Sequence, residues 1–173
     1  MATNLISSNE NDIYSVLYGF IKSVVDDTVE VIRGIENRVS APIGDFIVMT
    51  IVHMERLATN VSEWNGVIET DTATRNIQQH IKLSIQLDCY GNNSFTNAVV
   101  LSTLLRDTYG VESLSPTIVP LYTDDPIQNP LVNSESQYES RWTTISYFQF
   151  SPIITITQNS FTKVNYVTNP YYG

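Results

Sequence analysis

The side chains that could support catalysis are few and widely spaced in this 173-residue chain. Its two histidines, His53 and His80, stand in no metal-ligand spacing such as His-Glu-x-x-His. A cysteine–histidine nucleophile would need the single cysteine, Cys89, which lies on the apolar side of an alternating stretch. Burial there would raise the pKa of the thiol and make it less reactive. We therefore expect a buried free thiol and two structural or surface histidines.

Acidic residues provide the remaining candidates for chemistry. The pairs Asp26-Asp27 and Asp124-Asp125 could bind a divalent cation only if loops brought them together, and the spacing of a Ca²⁺ loop is absent. Glu135 and Glu139 flank a loop, and their spacing alone leaves a paired-carboxylate hydrolase open. The scattered glycines form neither a dinucleotide-binding pattern nor a P-loop. The sequence thus predicts no catalytic residue, no cofactor and no metal site, which favours a structural or interaction protein.

The charge of the chain argues against two further classes of partner. Nine basic and 18 acidic residues give a formal net charge of −9. Non-specific binding to nucleic acid or to an anionic membrane needs a basic surface, so neither is expected. No run of about 18 apolar residues predicts a transmembrane helix, and the N-terminus lacks the features of a secretion signal. The ten tyrosines favour protein–protein surfaces.

The predicted fold is organised around residues 80–110, which read as a strand, a tight turn and a helix. Apolar residues from Ile81 to Cys89 alternate with polar ones, which places the two sets on opposite faces of a strand. Gly91–Ser94 is rich in residues that form turns and cap helices. Leu101 and its apolar neighbours then recur at helical spacing, and Gly110 is expected to end the helix.

Before this unit, the sequence predicts one helix and two strands. An amphipathic pattern predicts a helix over about 9–25, and Ser7–Glu10 has the spacing of a capping box. Thr28–Arg33 predicts a short strand. Phe46–Met54 is almost continuously apolar, which is typical of a central strand covered on both faces, and we expect it to pair antiparallel with the preceding strand. Trp64–Gly66 suggests a turn.

After this unit, the sequence predicts strands joined by an exposed loop. Thr117–Tyr122 predicts a strand whose Pro120 favours a sheet edge or a bulge. Residues 123–136 carry turn signals and predict a long exposed loop, a common place for binding contacts. Tyr138–Phe150 alternates over a long span with aromatic residues on both faces, which favours burial on one side and a partner on the other.

Together these elements predict a single α/β (α+β) domain over residues 1–173. We expect a mixed, mainly antiparallel sheet with two main helices packed on it. The globular core would span about residues 9–157, and residues 158–173 would form an extended C-terminal tail.

Five ordered segments carry a family resemblance. They are Arg56–Asn60, Gln86–Ser94, Leu104–Gly110, Pro120–Pro126 and Gln137–Trp142. In this order they resemble the phage neck terminator family of tailed bacteriophages. The resemblance covers roughly residues 10–157, although the chain lacks the long insertion that some relatives carry after the segment corresponding to Arg56–Asn60. It implies a tail-terminator-like fold without an active site.

The resemblance also implies a place in the virion. Proteins of this kind are similar to tail terminators, so we expect a homohexameric ring that ends the tail tube and faces the head-side connector. The implied partners are further copies of the chain, the tail tube protein, the connector and other neck proteins, and the sheath where one exists. DNA would pass through the channel without specific binding, and no membrane would be involved. The chain would reside in the virion neck or tail, and in the host cytoplasm during assembly.

The predicted working surfaces lie mainly in the second half of the chain. The candidate assembly residues are Arg56, Tyr122, Asp124, Asp125, Tyr138, Arg141 and Trp142. Two other interpretations remain open beside the ring that ends the tube. The chain could be another head–tail connector or completion protein, or an α/β interaction domain unrelated to phages.

Overall fold

A six-stranded sheet stands at the centre of the fold in the computed structural model, which describes residues 6–35, 42–66, 72–114, 116–132 and 138–159. The helices of these residues are α1 (Glu10–Val24), α2 (Ser94–Leu105) and α3 (Thr108–Ser113). The strands are β1 (Glu30–Arg33), β2 (Phe46–Arg56), β3 (Val61–Gly66), β4 (Thr72–Gln78), β5 (Ile81–Tyr90), β6 (Ile118–Thr123), β7 (Ile127–Gln128), β8 (Leu131–Val132), β9 (Tyr138–Glu139), β10 (Arg141–Phe150) and β11 (Ile153–Asn159).

Strand β5 is the middle of the central sheet, whose order is β1-β2-β5-β10-β6 with β7 also beside β10. β2 and β10 both run antiparallel to β5, and the pairs Met49–Leu87 and Leu87–Thr144 mark their register. The predicted mixed, mainly antiparallel fold with helices packed on the sheet is confirmed.

The pairing of β1 with β2 is parallel, so the predicted antiparallel pairing was wrong. Glu30 lies opposite Phe46 and Arg33 lies opposite Met49. Parallel neighbours need a connection of about a dozen residues, because the chain must return to the start of the first strand. Residues 34–45 supply that length, and β1 is only four residues long.

The central sheet buries one face under the helices. Leu17 and Ile21 of α1, Leu101 of α2, and Leu83 and Ile85 of β5 are all 0 % exposed and belong to one hydrophobic cluster. The predicted amphipathic helix over residues 9–25 is therefore confirmed as a core helix.

The cap of α1 differs from the predicted Ser7–Glu10 capping box. The Asn9 carboxamide oxygen accepts a hydrogen bond from the Asn11 amide at 2.8 Å, and the Asp12 carboxylate accepts one from the Asn9 amide at 2.7 Å. Asn9 and Asp12 have the same spacing as Ser7 and Glu10, two residues further along. Ser7 instead accepts a hydrogen bond from the Ile153 amide.

The segment 80–110 forms the predicted strand, turn and helix, but Gly110 does not end that helix. α2 ends at Leu105, and the Asp107 carboxylate caps α3 by accepting from the Tyr109 amide at 2.9 Å. Gly110 lies inside α3, where a Cβ atom would come within 2.7 Å of the Leu104 carbonyl oxygen. Its small size therefore lets α3 fold back against the end of α2.

Three adjacent strands of the central sheet continue beyond it into a second sheet, which we call the arm. β2 leads into β3, β5 is preceded by β4, and β10 leads into β11. The arm has the order β11-β4-β3, which matches the order β10-β5-β2 of the central sheet. Trp64–Gly66 belongs to β3 and not to the predicted turn.

Burial along β2 corrects the prediction that this strand is covered on both faces. Phe46, Ile47 and Met49 are buried, but the residues from Val52 to Arg56 are exposed. The register against β5 shifts between Ile51 and His53, so the strand bulges where burial ends. The apolar side chains in the outer half of β2, those of Val52 and Met54, therefore do not pack in the core.

The C-terminal half follows the predicted strands closely. β6 is an edge strand, and its register against β10 shifts next to Pro120, as the sequence predicted. The predicted loop 123–136 contains the short strands β7 and β8 instead of being irregular throughout, and residues 133–137 lie outside the described part. Of the predicted tail, Gln158 and Asn159 extend β11, and residues 160–173 also lie outside the described part.

Candidate assembly surface

One face of the central sheet carries no helix in the described part of the chain, and we call it the helix-free face. It is formed by the even-numbered residues of β5 and the odd-numbered residues of β10, which lie opposite each other in the antiparallel register. The alternate residues of both strands pack into the core under α1 and α2. The helix-free face comprises Val48, Thr50, Lys82, Ser84, Gln86, Asp88, Arg141, Thr143, Ile145 and Tyr147.

A nearly buried carboxylate, that of Asp88, holds the centre of this face. It accepts hydrogen bonds from Nε and Nη2 of Arg141 at 3.1 and 2.9 Å. It also accepts from Thr143 Oγ1 at 2.5 Å and from Gln86 Nε2 at 2.7 Å. The side chain of Asp88 is only 6 % exposed. A carboxylate with four donors has its hydrogen-bonding capacity largely used, and the bonds from Arg141 and Thr143 join β10 to β5.

Aromatic rings extend the Arg141 contact toward the edge of the sheet. The Arg141 guanidinium lies 5.5 Å from the centre of the Tyr90 ring. Tyr90 in turn stacks on Phe46 of the neighbouring strand, with 4.5 Å between ring centres. Partial burial raises the pKa of the Tyr90 phenol, so its hydroxyl stays neutral at ordinary pH.

A second cluster lies where β6 meets β10. The rings of Tyr122 and Tyr147 stack with their centres 4.2 Å apart. The Tyr147 hydroxyl donates to the Asp124 carboxylate at 3.1 Å, and Lys82 Nζ lies 5.8 Å from the centre of the Tyr147 ring. Desolvation, followed by the hydrogen bond to Asp124, raises the pKa of Tyr147. Tyr122 itself is 47 % exposed, so the stack offers an aromatic surface to solvent.

The pair of acids after β6 is split between two partners. Asp124 faces Tyr147, whereas Asp125 accepts from Arg106 Nη2 at 2.7 Å. Arg106 Nε also donates to the Thr123 carbonyl oxygen at 2.7 Å, which ties the end of α2 to the end of β6. Both acids line an open depression of about 410 Å³ that Gln86, Arg141 and Thr143 also border. The depression has both carboxylate and guanidinium groups at its rim, which suits recognition of a polar protein surface.

The structure brings together four of the seven predicted assembly residues. Asp124, Asp125 and Arg141 border the depression, and Tyr122 stacks beside it. Trp142 is on the opposite face, because adjacent residues of a strand point to opposite sides. Its ring contacts Phe95 of α2 edge to face, with 5.0 Å between centres.

The remaining two predicted residues lie apart from this group. Arg56 ends β2 at the junction with the arm, where its Nε donates to the Ala58 carbonyl oxygen at 2.8 Å. Tyr138 lies on the short strand β9 and is 82 % exposed. Sequence reasoning did not select Asp88 or Tyr147, although the alternation of both strands already placed them on the side opposite the core.

The structure shows where the cysteine and the two histidines considered for chemistry lie. Cys89 is buried, and burial raises the pKa of its thiol to about 12. His80 Nδ1 lies 2.8 Å from Ser151 Oγ at the junction of arm and central sheet, whereas His53 is exposed on β2. Among the described residues, no group of three or more His, Cys, Asp or Glu side chains could hold a metal ion. Glu135 lies outside the described part, so the predicted Glu135–Glu139 pair is not tested.

The whole globular part of the chain matches one protein family. The family model described as phage neck terminator protein matches residues 11–170. The chain belongs to the phage neck terminator family. The match extends beyond the expected residues 10–157 into the C-terminal tail. The search of curated proteins found no match.

Family membership assigns the chain a structural role in the phage neck, and hence a place in the virion. The described helices include none that is both long and apolar enough to span a membrane.

Proposed function

We propose that this phage neck terminator protein forms a hexameric ring that ends the tail tube and joins it to the head-side connector. The observation that carries the proposal is the family match over residues 11–170. A ring that ends a tube must bind the tube on one side, and its other side must not bind further tube subunits. The protein needs two different faces for this, and its central sheet is helical on one side and helix-free on the other.

The surfaces of the chain fit this role. A cyclic ring requires heterologous contacts, in which one surface of a subunit meets a different surface of its neighbour. Tyr122, Asp124, Asp125 and Arg141 form a mixed aromatic and charged group on and beside the helix-free face, and Tyr138 stands exposed near it in sequence. Aromatic and arginine side chains are enriched at protein interfaces. We assign this group to contacts with the neighbouring neck proteins.

The other partners follow from the same role. They are the tail tube protein, the head-side connector and neck proteins, and the sheath if the tail has one. The net charge of −9 suits a channel through which DNA passes without specific binding. The ring assembles in the host cytoplasm before it joins the virion.

The decisive experiment combines native mass measurement with imaging of tail ends. Purified protein should give a hexamer, alone or with tube protein, and gold-labelled protein should decorate one end of isolated tail tubes. A protein that stays monomeric and ignores both tubes and connectors would overturn the proposal. Decoration of connectors alone would favour a connector or completion protein instead.

A further inference from the structure

Among the described residues, no helix or second sheet forms a layer over the arm, although small β-sheets need such a layer for stability. No arm residue belongs to the hydrophobic cluster of the core. The main packing contacts of the helices are with strands of the central sheet. Within the described residues, the arm is joined to the rest of the chain through its own strands and through Ile6 and Ser7, which pair with β11.

The two faces of the arm differ in composition. In the antiparallel register, Trp64 lies opposite Arg75, and Arg75 lies opposite Ile156. Ile77 and Ile154 form the next row on the same side. We call this side the Trp64 face. Trp64 is 59 % exposed and Ile154 is 41 % exposed.

The opposite face of the arm is polar over the same rows. Glu63 lies opposite Asn76, which lies opposite Thr155, and Thr155 Oγ1 donates to the Asn76 carboxamide oxygen at 2.8 Å. Asn65, Thr74 and Thr157 form the neighbouring row. The arm is thus amphipathic, and no described helix or sheet covers its apolar side.

Arg75 marks the centre of the Trp64 face. Its guanidinium lies 5.0 Å from the centre of the Trp64 ring, and Nη2 donates to Ser62 Oγ at 3.0 Å. Its Nε is buried and has no hydrogen-bond partner. Arg75 is also the one charged residue among the described residues of this face, so the surface that covers the face should bring a negatively charged group.

We propose that the Trp64 face is covered by a second copy of this chain in a heterologous contact. A symmetric contact, Trp64 face on Trp64 face, would bring two Arg75 guanidinium groups together at its centre, which disfavours it.

A different surface of a neighbouring copy can supply a carboxylate, because the chain carries 18 acidic and nine basic residues. The described arm has one acid and one base, Glu63 and Arg75, so it is the neutral part of a strongly acidic protein. This inference rests on the proposed ring, for which a heterologous contact is required.

The test compares assembly of variants on the two faces of the arm. Trp64→Ser and Ile156→Thr change the Trp64 face, and Glu63→Gln and Thr157→Ser are matched controls on adjacent positions of the opposite face. We expect the first two to raise the protein concentration for half-assembly at least about tenfold, since buried aromatic anchors dominate interfaces. The controls should assemble like the wild type. Thermal unfolding of each monomer verifies that the variants fold.

The outcomes separate this inference from the ring proposal. A ring from Trp64→Ser at the wild-type concentration overturns the inference and leaves the ring intact. A wild-type protein that never assembles, even with tube protein, overturns both. If Trp64→Ser forms rings normally but no longer binds tube ends, the tube protein covers the face and the inference is wrong.

Fluorescence tests whether the chain covers this face itself. In a Trp142→Phe background, Trp64 is the remaining tryptophan. Its emission should shift to longer wavelength when the ring is diluted to monomers. If Trp64 is already shielded in the monomer and becomes exposed when residues 160–173 are removed, the C-terminal segment covers the face and the second-copy contact is overturned.

Discussion

Arg141 and Asp88 join β10 to β5 through two hydrogen bonds, at 2.9 and 3.1 Å, on the face of the sheet that no described helix covers. The sequence marked Arg141 as a candidate assembly residue. The structure makes Arg141 the partner of a carboxylate that is 6 % exposed. Loss of Arg141 would leave that charge without its partner, so the residue must also stabilise the monomer.

The first prediction follows from this pair. Arg141→Met should lower the free energy of unfolding by about 2–3 kcal/mol, since hydrogen bonds to charged groups are costly to lose. Denaturant unfolding measures the change. Asp125→Asn, which weakens the more exposed pair with Arg106, should cost about 1 kcal/mol or less. The double variant Asp88→Asn with Arg141→Met should lose less than the sum of the single changes. Additive losses would show that the two side chains are not coupled.

The second prediction concerns the helix α2 in the core. Leu101 and Leu105 are 0 % and 2 % exposed, so replacing either by Ala should cost about 2–5 kcal/mol of stability. Val99 on the same helix is 39 % exposed, and Val99→Ala should change the stability far less. Equal effects at positions 99 and 101 in chemical denaturation would contradict the packing of α2 on the sheet.

The third prediction concerns pH. The thiol of Cys89 has a pKa raised from 9.0 to about 12 by burial, with a smaller contribution from Asp88. Between these values the unfolded chain has lost the thiol proton and the folded chain keeps it. Folding is therefore linked to proton uptake, and the stability falls as pH rises above about 9, by at most about 1.4 kcal/mol per pH unit.

Comparison with Cys89→Ala isolates that effect. The variant keeps Tyr90 and Tyr147, whose raised pKa values also act at alkaline pH, so the difference in slope reports the thiol alone. Unfolding curves from pH 7 to 11 provide the measurement. The native thiol should also resist thiol reagents at pH 8, and rapid labelling of the folded protein would contradict its burial.

The fourth prediction contrasts two glycines. Gly91 has a φ of +94°, and a Cβ atom there would lie 2.1 Å from Asp45 Oδ1 and 2.9 Å from Asp45 Cα. Gly91→Ala should therefore lower stability by more than about 1 kcal/mol. Gly19 lies in α1 with open space around its Cα, and Gly19→Ala should raise stability by about 0.5–1 kcal/mol. Thermal unfolding should move the two midpoints in opposite directions.

The fifth prediction concerns assembly through the aromatic stack. Tyr122 is 47 % exposed and lies on an edge strand. Tyr122→Ser should leave the monomer folded, because the side chain is outside the core, and should weaken binding to the neighbouring neck proteins. Pull-down with the tube and connector proteins measures binding. Tyr18→Ser, an exposed tyrosine on α1, is the control, and equal loss of binding in both variants would count against a role for the stack.

The local patterns of the sequence were sufficient for most elements outside the arm and for separating the two faces of β5 and β10. The alternation from Tyr138 to Phe150 predicts that Phe148 and Phe150 share one face and that Tyr147 lies on the other, and the structure shows that the Phe148 face is the buried one. Period two depends only on neighbours along the chain, so a single strand reveals it. The same rule shows that Arg141 and Trp142 cannot belong to one surface.

Relations between distant segments could not be predicted in the same way. The Asp88–Arg141 pair depends on the register of β5 against β10, which is set by packing across the whole sheet. The parallel pairing of β1 with β2 depends on the path of residues 34–45, which connect the end of β1 to the start of β2. The arm was missed because β3 and β4 contain few apolar residues, and their order becomes clear only when β11 is placed beside β4.

Three strands of the central sheet lead into the arm through connections of only two to four residues, and this continuity also constrains how the protein is made. Strands β2, β3, β4 and β5 follow one another in the chain and can close as one long hairpin during synthesis. Residues 141–159 leave the ribosome late, yet they supply the third strand of both sheets. Until then, β5 and β4 each keep one strand edge unpaired. During this period, pairing of these edges between copies leads to aggregation.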